Sequence, residues 1–357
     1  MSITFNFEDY YDVGNETNQE NITPYVVDPE TLPCEIKPLG FVPALTLCLL
    51  LIAIFIVAIP GNVLVGWVIG TSRQALTPSD VYLVHLTIAD GLMALILPFF
   101  AAALIRGWIF GDFMCKFLHL VFEANFYTSI LFLACISVDR YLVIVRANDS
   151  LGRQRLCSRL LCAAVWAFGV ALSLPALFRD VKKRGPDSGR LTCTENFDIG
   201  SATVWRHATR ILLHVFGFFL PLCVMITCYS ITIIRLLRTR GFRKHRAMKV
   251  IIAVVAAFLL CWTPYHIAMM ADTILRADLI TFDCSVRRSV TLALIVTSNL
   301  ALLHSCINPV LYAFVGEKFR RNMTLLLQRK VRHTERISGS RFSRSTSQTS
   351  EGTGAIL

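Results

Sequence analysis

Charge is scarce in this chain: of 357 residues, 17% are Asp, Glu, Lys or Arg and 55% are hydrophobic. A soluble protein of this length carries nearer a quarter charged residues, so a water-bathed globule is excluded. Metal-site spacing is missing as well. No Cys-x-x-Cys or His-x-x-His occurs, and the eight His are scattered, which argues against a structural zinc site. No solenoid-type repeat period is present. No constellation of nucleophile, base and acid stands out, so an enzyme has no support and no cofactor is expected. Residues 1–40 are acidic and contain no apolar core. A cleavable signal peptide is therefore not expected, and the first apolar run would serve as the export signal.

What the chain does have is long apolar runs. Seven lie near 41–69, 80–104, 113–138, 158–178, 208–234, 248–274 and 289–315, each about the 20 residues needed to cross a bilayer. They predict an all-α membrane protein: a seven-helix bundle over 41–316, an outer tail over 1–40, an amphipathic surface helix over 317–328 and a polar tail over 329–357. With the N-terminus outside, the cytoplasmic parts hold 22 Lys/Arg against 6 Asp/Glu, and the outer parts 13 against 16. That asymmetry sets the N-terminus outside and the C-terminus in the cytoplasm. The surplus of basic residues then faces anionic lipid, with no nucleic acid implied.

Twelve cysteines divide by location. Eight fall in the runs or at an inner edge, where small buried apolar residues are the ordinary reading. The outer four, Cys34, Cys115, Cys193 and Cys284, admit three pairings. Cys115–Cys193, tying the third helix to the second outer loop, and Cys34–Cys284, tying the tail to the third outer loop, are the favoured ones. Two sequons in the tail mark Asn15 and Asn21 for glycosylation. Two more, at Asn148 and Asn322, fall on the cytoplasmic side and carry no meaning there.

Charged and polar residues inside the runs carry the functional information. Asp139-Arg140-Tyr141 closes the third run, where a charged pair beside a membrane core is costly and marks a switch. From Cys115 to Arg140 is 25 steps, roughly 37 Å of helix at 1.5 Å each, so one helix joins an outer disulfide to an inner ion pair. Asp90 lies in the middle of the second run and needs a partner. Asn125 and Ser129, one turn apart on the third, would share a small cation such as sodium with it. The bland alternative is a watered polar packing network. Pro60, Pro98, Pro175, Pro221, Pro264 and Pro309 occur in six of the seven runs and can kink them. Trp262 beside Pro264 places a large ring at one such kink.

Together, Asn62, Asp90, Cys115, Asp139-Arg140-Tyr141, Trp166, Pro221, Tyr229, Trp262-Thr263-Pro264 and Asn308-Pro309-Val310-Leu311-Tyr312 resemble the rhodopsin-like (class A) G-protein-coupled receptors over residues 40–328. The resemblance implies that Arg140, Tyr229 and Tyr312 rearrange to admit a G protein, with Asp139, Tyr141, Trp262, Pro264, Asn308 and Pro309 taking part in activation. No Lys occurs in 289–315, which excludes a retinal-binding version.

The outer tail narrows the ligand. Glu8-Asp9-Tyr10-Tyr11-Asp12 sets two tyrosines among acids, and residues 1–40 hold eight acids and one base, Lys37. Complementary charge speeds capture of a basic partner; a merely solubilising tail is the alternative. Asp139 to Val145, Trp108-Ile109-Phe110-Gly111, Lys244-His245-Arg246-Ala247-Met248, Ala271-Asp272-Thr273 and His304-Ser305-Cys306-Ile307-Asn308-Pro309 are similar to the CXC chemokine receptor family, closest to its interleukin-8 branch. Cys34 with Cys284 is similar to that family's second outer disulfide. The resemblance implies a basic CXC chemokine of the Glu-Leu-Arg type, met by Asp9, Tyr10, Tyr11, Asp12, Glu123, Arg206, Arg210, Asp272, Arg287 and Arg288. It further implies an inhibitory-class G protein, receptor kinases, arrestin and a plasma-membrane location, with leukocyte chemotaxis as the outcome.

The pocket departs from that pattern. Ile96 stands before Leu97-Pro98 where Thr is usual, Phe100 where Trp is common, and Ser298 where an inward Glu is expected. Inside, Arg235, Arg238, Arg240, Arg243, Lys244, Arg246 and Lys249 form a basic end to the fifth and sixth runs. Glu317-Lys318-Phe319-Arg320 begins the surface helix, and no Cys follows Cys306 to carry a palmitoyl anchor. Ser343, Ser345, Thr346, Ser347, Thr349 and Ser350 are expected phosphorylation sites. A scavenging receptor without G-protein signalling and an ion-coupled transporter built on Asp90 are the competing functions.

Overall fold

The computed structural model describes residues 39–71, 76–146, 151–183, 189–197, 202–237, 242–276 and 283–315, with 320–321, 323–325 and 328 beyond. Its helices are α1 Phe41–Gly70, α2 Pro78–Arg106, α3 Gly111–Tyr141, α4 Leu151–Ser173, α5 Ala202–His214, α6 Leu220–Leu237, α7 Phe242–Arg276, α8 Cys284–Ala301 and α9 His304–Val315. A π turn, Val215–Phe219, joins α5 to α6, so these three make one span. A break at Leu302 and Leu303 similarly divides the last span into α8 and α9. Among the described residues, six stretches are long and apolar enough to cross a membrane. The seventh helix is α7. The sequence-predicted runs coincide with these spans, the fifth and seventh being interrupted.

The solvent these helices suit is lipid. Ile56 is 62% exposed, Val63 66% and Leu260 76%, a loss in water that is no loss against acyl chains. Beyond its first turn an α-helix satisfies its own backbone N–H groups, as a bilayer requires. The buried face holds the polar residues, including Asn62, Asp90, Asn125, Ser129, His304 and Asn308. Within the bundle α3 is central, packing against α2, α4 and α6, while α1 packs on α2 and α9, and α7 on α8 and α9.

Local chemistry fixes the ends. Thr77 caps α2 in a reciprocal capping box with Asp80, and Pro78 takes the first helical position, where no N–H is needed. Gly107 ends α2 at φ 80°, a left-handed conformation that glycine adopts without strain. Pro60, Pro98, Pro264 and Pro309 lie inside helices. Pro175 instead sits in a 3-10 turn, Leu174–Phe178, and Pro221 is the second residue of α6, just past the π turn.

A two-stranded hairpin, β1 Arg179–Lys183 and β2 Leu191–Glu195, follows α4 with Val181 opposite Cys193. Cys193 is disulfide-bonded to Cys115 of α3, with Cα atoms 5.7 Å apart. Further ties hold the hairpin to the same end of the bundle. Val181 N donates to Asp112 Oδ1 at 2.7 Å, Trp108 N to Leu191 O at 2.8 Å, and Lys116 pairs with Asp180 at 3.0 Å. Cys284 is also disulfide-bonded; Cys34, its expected partner, lies outside the described residues. So do Asp9, Tyr10, Tyr11, Asp12, Asn15, Asn21 and the serines and threonines of 343–350.

Candidate functional site

At the Cys115 end the helices and hairpin enclose a cavity of about 510 Å³, within the range of ordinary ligand sites. Its walls are mostly apolar, and its polar groups converge from three elements. Glu123 of α3 accepts from Arg179 Nη2 at 3.3 Å, and the same nitrogen reaches Glu195 at 3.2 Å. One guanidinium thus lies between two carboxylates. Facing it, Arg210 of α5 lines the cavity. Its Nη1 pairs with Asp272 Oδ2 at 2.7 Å and donates to Thr273 at 2.8 Å. Asp272 also accepts from Arg276 Nε at 2.8 Å. The cavity is therefore bordered by two clusters of paired charges.

Of the sequence-predicted ligand residues, Glu123 and Arg210 line this cavity, and Asp272 is held behind Arg210. Arg206 is half-buried one turn from Arg210 on α5. Arg287 and Arg288 lie in the first turns of α8, partly and fully exposed. Ser298 does line the wall, but its hydroxyl donates back to Ile295 O at 3.0 Å. Phe100 packs edge-on against His119 at 5.2 Å and Phe122 at 5.9 Å. Ile96 is buried in α2. These three positions offer a self-satisfied hydroxyl, an aromatic ring and an aliphatic side chain.

The hairpin's carboxylate Asp180 is held below its ordinary 3.8 by hydrogen bonds from Asn196 and Lys116, with the Lys116 and Lys182 charges adding to the effect. It is charged at neutral pH and anchors β1 to α3.

Trp262 forms the cavity floor, its ring 4.4 Å from that of Phe126. Below it runs a chain of polar contacts. His304 Nδ1 stands 3.2 Å from Trp262 Nε1 and 2.7 Å from Ala301 O, and its Nε2 lies 3.5 Å from Asp90 Oδ1. Asp90 accepts from Ser129 at 3.1 Å and from Asn308 Nδ2 at 2.7 Å. Asn125 Oδ1 and Asn308 Oδ1 are buried without a hydrogen-bond partner. Ser129 thus contacts Asp90 as expected, whereas Asn125 supplies a bare acceptor oxygen nearby in sequence and Asn308 supplies the second bond. Asn62 ties α1 to this region, donating to Ser305 O at 2.8 Å.

At the other end of α3, Arg140 Nη2 lies 3.5 Å from Asp139, and its Nε donates to Ser79 Oγ at 2.9 Å. Ser79 in turn donates to Asp139. One hydroxyl of α2 therefore closes a ring with the Asp–Arg pair. Tyr141 is the last residue of α3. One turn back, Ser137 Oγ donates to Tyr229 Oη at 2.7 Å. Pro264 lies inside α7 and Pro309 inside α9, where a Cβ on Gly61 would lie 2.9 Å from Pro309 Cβ. Tyr312 belongs to α9; its side chain lies outside the described residues.

Sequence reasoning missed three participants: Arg179, His304 and Ser79. Arg179 is reachable from the Cys115–Cys193 pairing, because that bond carries the hairpin over α3. His304 stands four residues before Asn308, on the same helical face. Ser79 gives no signal beyond its place at the start of α2.

Comparison with known proteins places this geometry in context. Residues 61–312 match the family model described as 7 transmembrane receptor (rhodopsin family). The chain is similar to C-X-C chemokine receptor type 2 of Homo sapiens, 41% identical over 325 residues, covering 90% of this chain and 89% of the relative. C-X-C chemokine receptor type 1 of Homo sapiens is 41% identical over 324 residues, with the same coverage. Type 1 of Oryctolagus cuniculus is 46% identical over 276 residues, covering 77% of each chain.

Proposed function

Since the chain belongs to the rhodopsin family of seven-transmembrane receptors, and within it to the C-X-C chemokine receptors, we propose that it binds a basic, interleukin-8-type chemokine and activates an inhibitory-class G protein. It is a chemokine receptor and not an enzyme. In this reading it sits in the plasma membrane with the N-terminus outside, and the Cys115 end of the bundle faces the extracellular medium. The basic runs 235–249 and 317–336 then meet anionic lipid and the G protein. Calcium release and leukocyte (neutrophil) migration are the cellular outcomes. Receptor kinases acting on the Ser343–Ser350 tail recruit arrestin.

The observation carrying this proposal is the set of buried polar contacts that runs from the cavity floor to Asp90. Trp262, His304, Asp90, Ser129 and Asn308 are within contact distance in sequence. The acidic tail captures the chemokine by charge, and its leading segment enters the cavity between the Glu123–Arg179–Glu195 and Arg210–Asp272 groups. A cationic ligand group favours the Glu123 side; a carboxylate favours Arg210. Displacement at Trp262, beside Pro264, repacks α7. Arg140 then exchanges Ser79 and Asp139 for the G protein, a switch suited to a guanidinium with five donors.

Asp90, Asn125 and Ser129 would hold a sodium ion in the resting receptor. The unpartnered Asn125 and Asn308 oxygens fit an oxygen-seeking cation. Bound there, the ion would supply charge compensation for Asp90.

A panel of CXC chemokines scored for G-protein activation tests the proposal, with Arg140→Ala as control. Glu-Leu-Arg chemokines should activate the receptor and the variant should bind without signalling. Binding without activation in the unaltered receptor would favour a scavenging role. Chemokine-independent solute flux would favour a transporter.

A further inference from the structure

Two histidines face each other across the α5–α7 boundary, outside the polar contacts between Trp262 and Asp90. His214 is the last residue of α5 and His266 lies in α7, one position after the cavity-lining Tyr265. Their Nδ1 atoms are 3.0 Å apart. His266 is 0% exposed, and His214 is half-buried. The Nε2 atoms of both rings are buried without a hydrogen-bond partner.

As two neutral imidazoles the pair satisfies itself poorly. A single proton lies between the Nδ1 atoms, which leaves one Nε2 as a donor and the other as an acceptor, both buried and unpaired. Each such group costs about 1–3 kcal/mol. We propose that His214 and His266 form a two-imidazole site for a borderline divalent cation of the zinc type. In a tetrahedral site with Zn–N bonds of about 2.0–2.1 Å, ligand nitrogens stand about 3.3 Å apart, so the two Nδ1 atoms need to separate by only a few tenths of an ångström. Both lone pairs then go to the metal. The ring that carried its proton on Nδ1 moves it to Nε2 by exchange with water, so both rings stay neutral with a proton on Nε2 and no net proton is released.

The surroundings admit this. His266 stacks on Phe218 at 4.5 Å, and Phe126 and Tyr265 stand 5.8 and 5.6 Å away. These rings fix the imidazole plane on that side. The nearest cation in sequence, Arg210, is one turn before His214, and its charge is met by Asp272 at 2.7 Å. Water entering from the cavity beside Leu213 and Tyr265 completes the coordination. A metal bound here pins α5 to α7 on the Tyr265 side of Pro264, opposite Trp262.

The test uses purified full-length receptor in detergent and needs neither chemokine nor G protein, so its failure is separable from failure of the chemokine reading. Zn²⁺ should raise the thermal unfolding midpoint with half-saturation at micromolar concentration. Mg²⁺, which prefers six oxygens, should not. His214→Gln and His266→Asn should each weaken the zinc effect at least tenfold. A zinc shift unchanged in both variants, or absent from the unaltered receptor, overturns the proposal. Should a variant fail to fold, Cu²⁺ electron paramagnetic resonance on the unaltered protein decides. Nitrogen hyperfine structure from two imidazoles supports the site, and an all-oxygen spectrum overturns it.

Discussion

At the scale of single residues, the account rests on groups whose partners come from elsewhere in the chain. Ser79 is the clearest: it is 8% exposed and bridges Asp139 and Arg140 from α2. Ser79→Ala removes the bridge without adding bulk. Basal G-protein activation, measured without chemokine, should rise about two- to tenfold, in keeping with the roughly 0.5–1.5 kcal/mol net value of one hydrogen bond. No rise would mean that the bridge does not restrain Arg140. Asp180 supplies a pH prediction. Because its folded value is depressed, its stabilising pair with Lys116 is at full strength above 3.8 and weakens as pH falls through the lower folded value. Chemokine affinity should therefore show no Asp180-dependent step between pH 7.5 and 5. Asp180→Asn should weaken binding by a similar factor throughout that window, as a titration of affinity against pH would record. Neither Ser79 nor Arg179 was legible from spacing. The sequence shows which residues are charged or hydroxylic, whereas their partners are set by how separate helices pack.

At the scale of elements, two contacts decide what the helices tolerate. The π turn Val215–Phe219 brings Gly217 against α3, so that a Cβ there would lie 2.4 Å from Phe126 Cε1. Gly217→Ala forces Phe126, which packs on Trp262, to shift, and overpacking of this kind costs about 1–3 kcal/mol. Thermal unfolding of the purified variant should fall by several degrees, with chemokine potency reduced; an unshifted midpoint would contradict the packing. The second contact is Asp272, whose side chain is 3% exposed and joins Arg210 to Arg276. Asp272→Ala strands a mostly buried guanidinium, and breaking such a pair costs about 3–5 kcal/mol. Arg276→Ala, at a position 30% exposed, should cost far less. Equal losses of stability in the two variants would sink this ranking. The spans themselves were visible in advance because apolar length has one physical cause, the thickness of the bilayer. The interruptions at 215–219 and 302–303 were not, since a π turn depends on tertiary packing and leaves no periodic mark.

At the scale of the whole molecule, two ends of one bundle carry different chemistry. The Cys115 end holds a cavity of about 510 Å³ bordered by two clusters of paired charges. The Arg140 end holds a closed Ser79–Asp139–Arg140 ring. Polar residues buried between them connect α2, α3, α7 and α9 through Asp90. The family was legible in Asp139-Arg140-Tyr141, Trp262 and Asn308-Pro309 because these motifs sit at fixed places in seven spans. The shape of the cavity was not, as it depends on a hairpin folded back by one disulfide. Ser298 and Phe100 in its lining depart from the residues expected by resemblance, and so ligand choice belongs to experiment. The central claim is that chemokine engaged at one end releases Arg140 at the other. Its most direct test is a dose–response of G-protein activation by Glu-Leu-Arg chemokines on the unaltered receptor and on Arg140→Ala, with binding measured in parallel. The account predicts saturable activation by the former, and by the latter binding within a few-fold and activation lost. Undiminished activation by Arg140→Ala, or no activation of the unaltered receptor by any chemokine it binds, would contradict it.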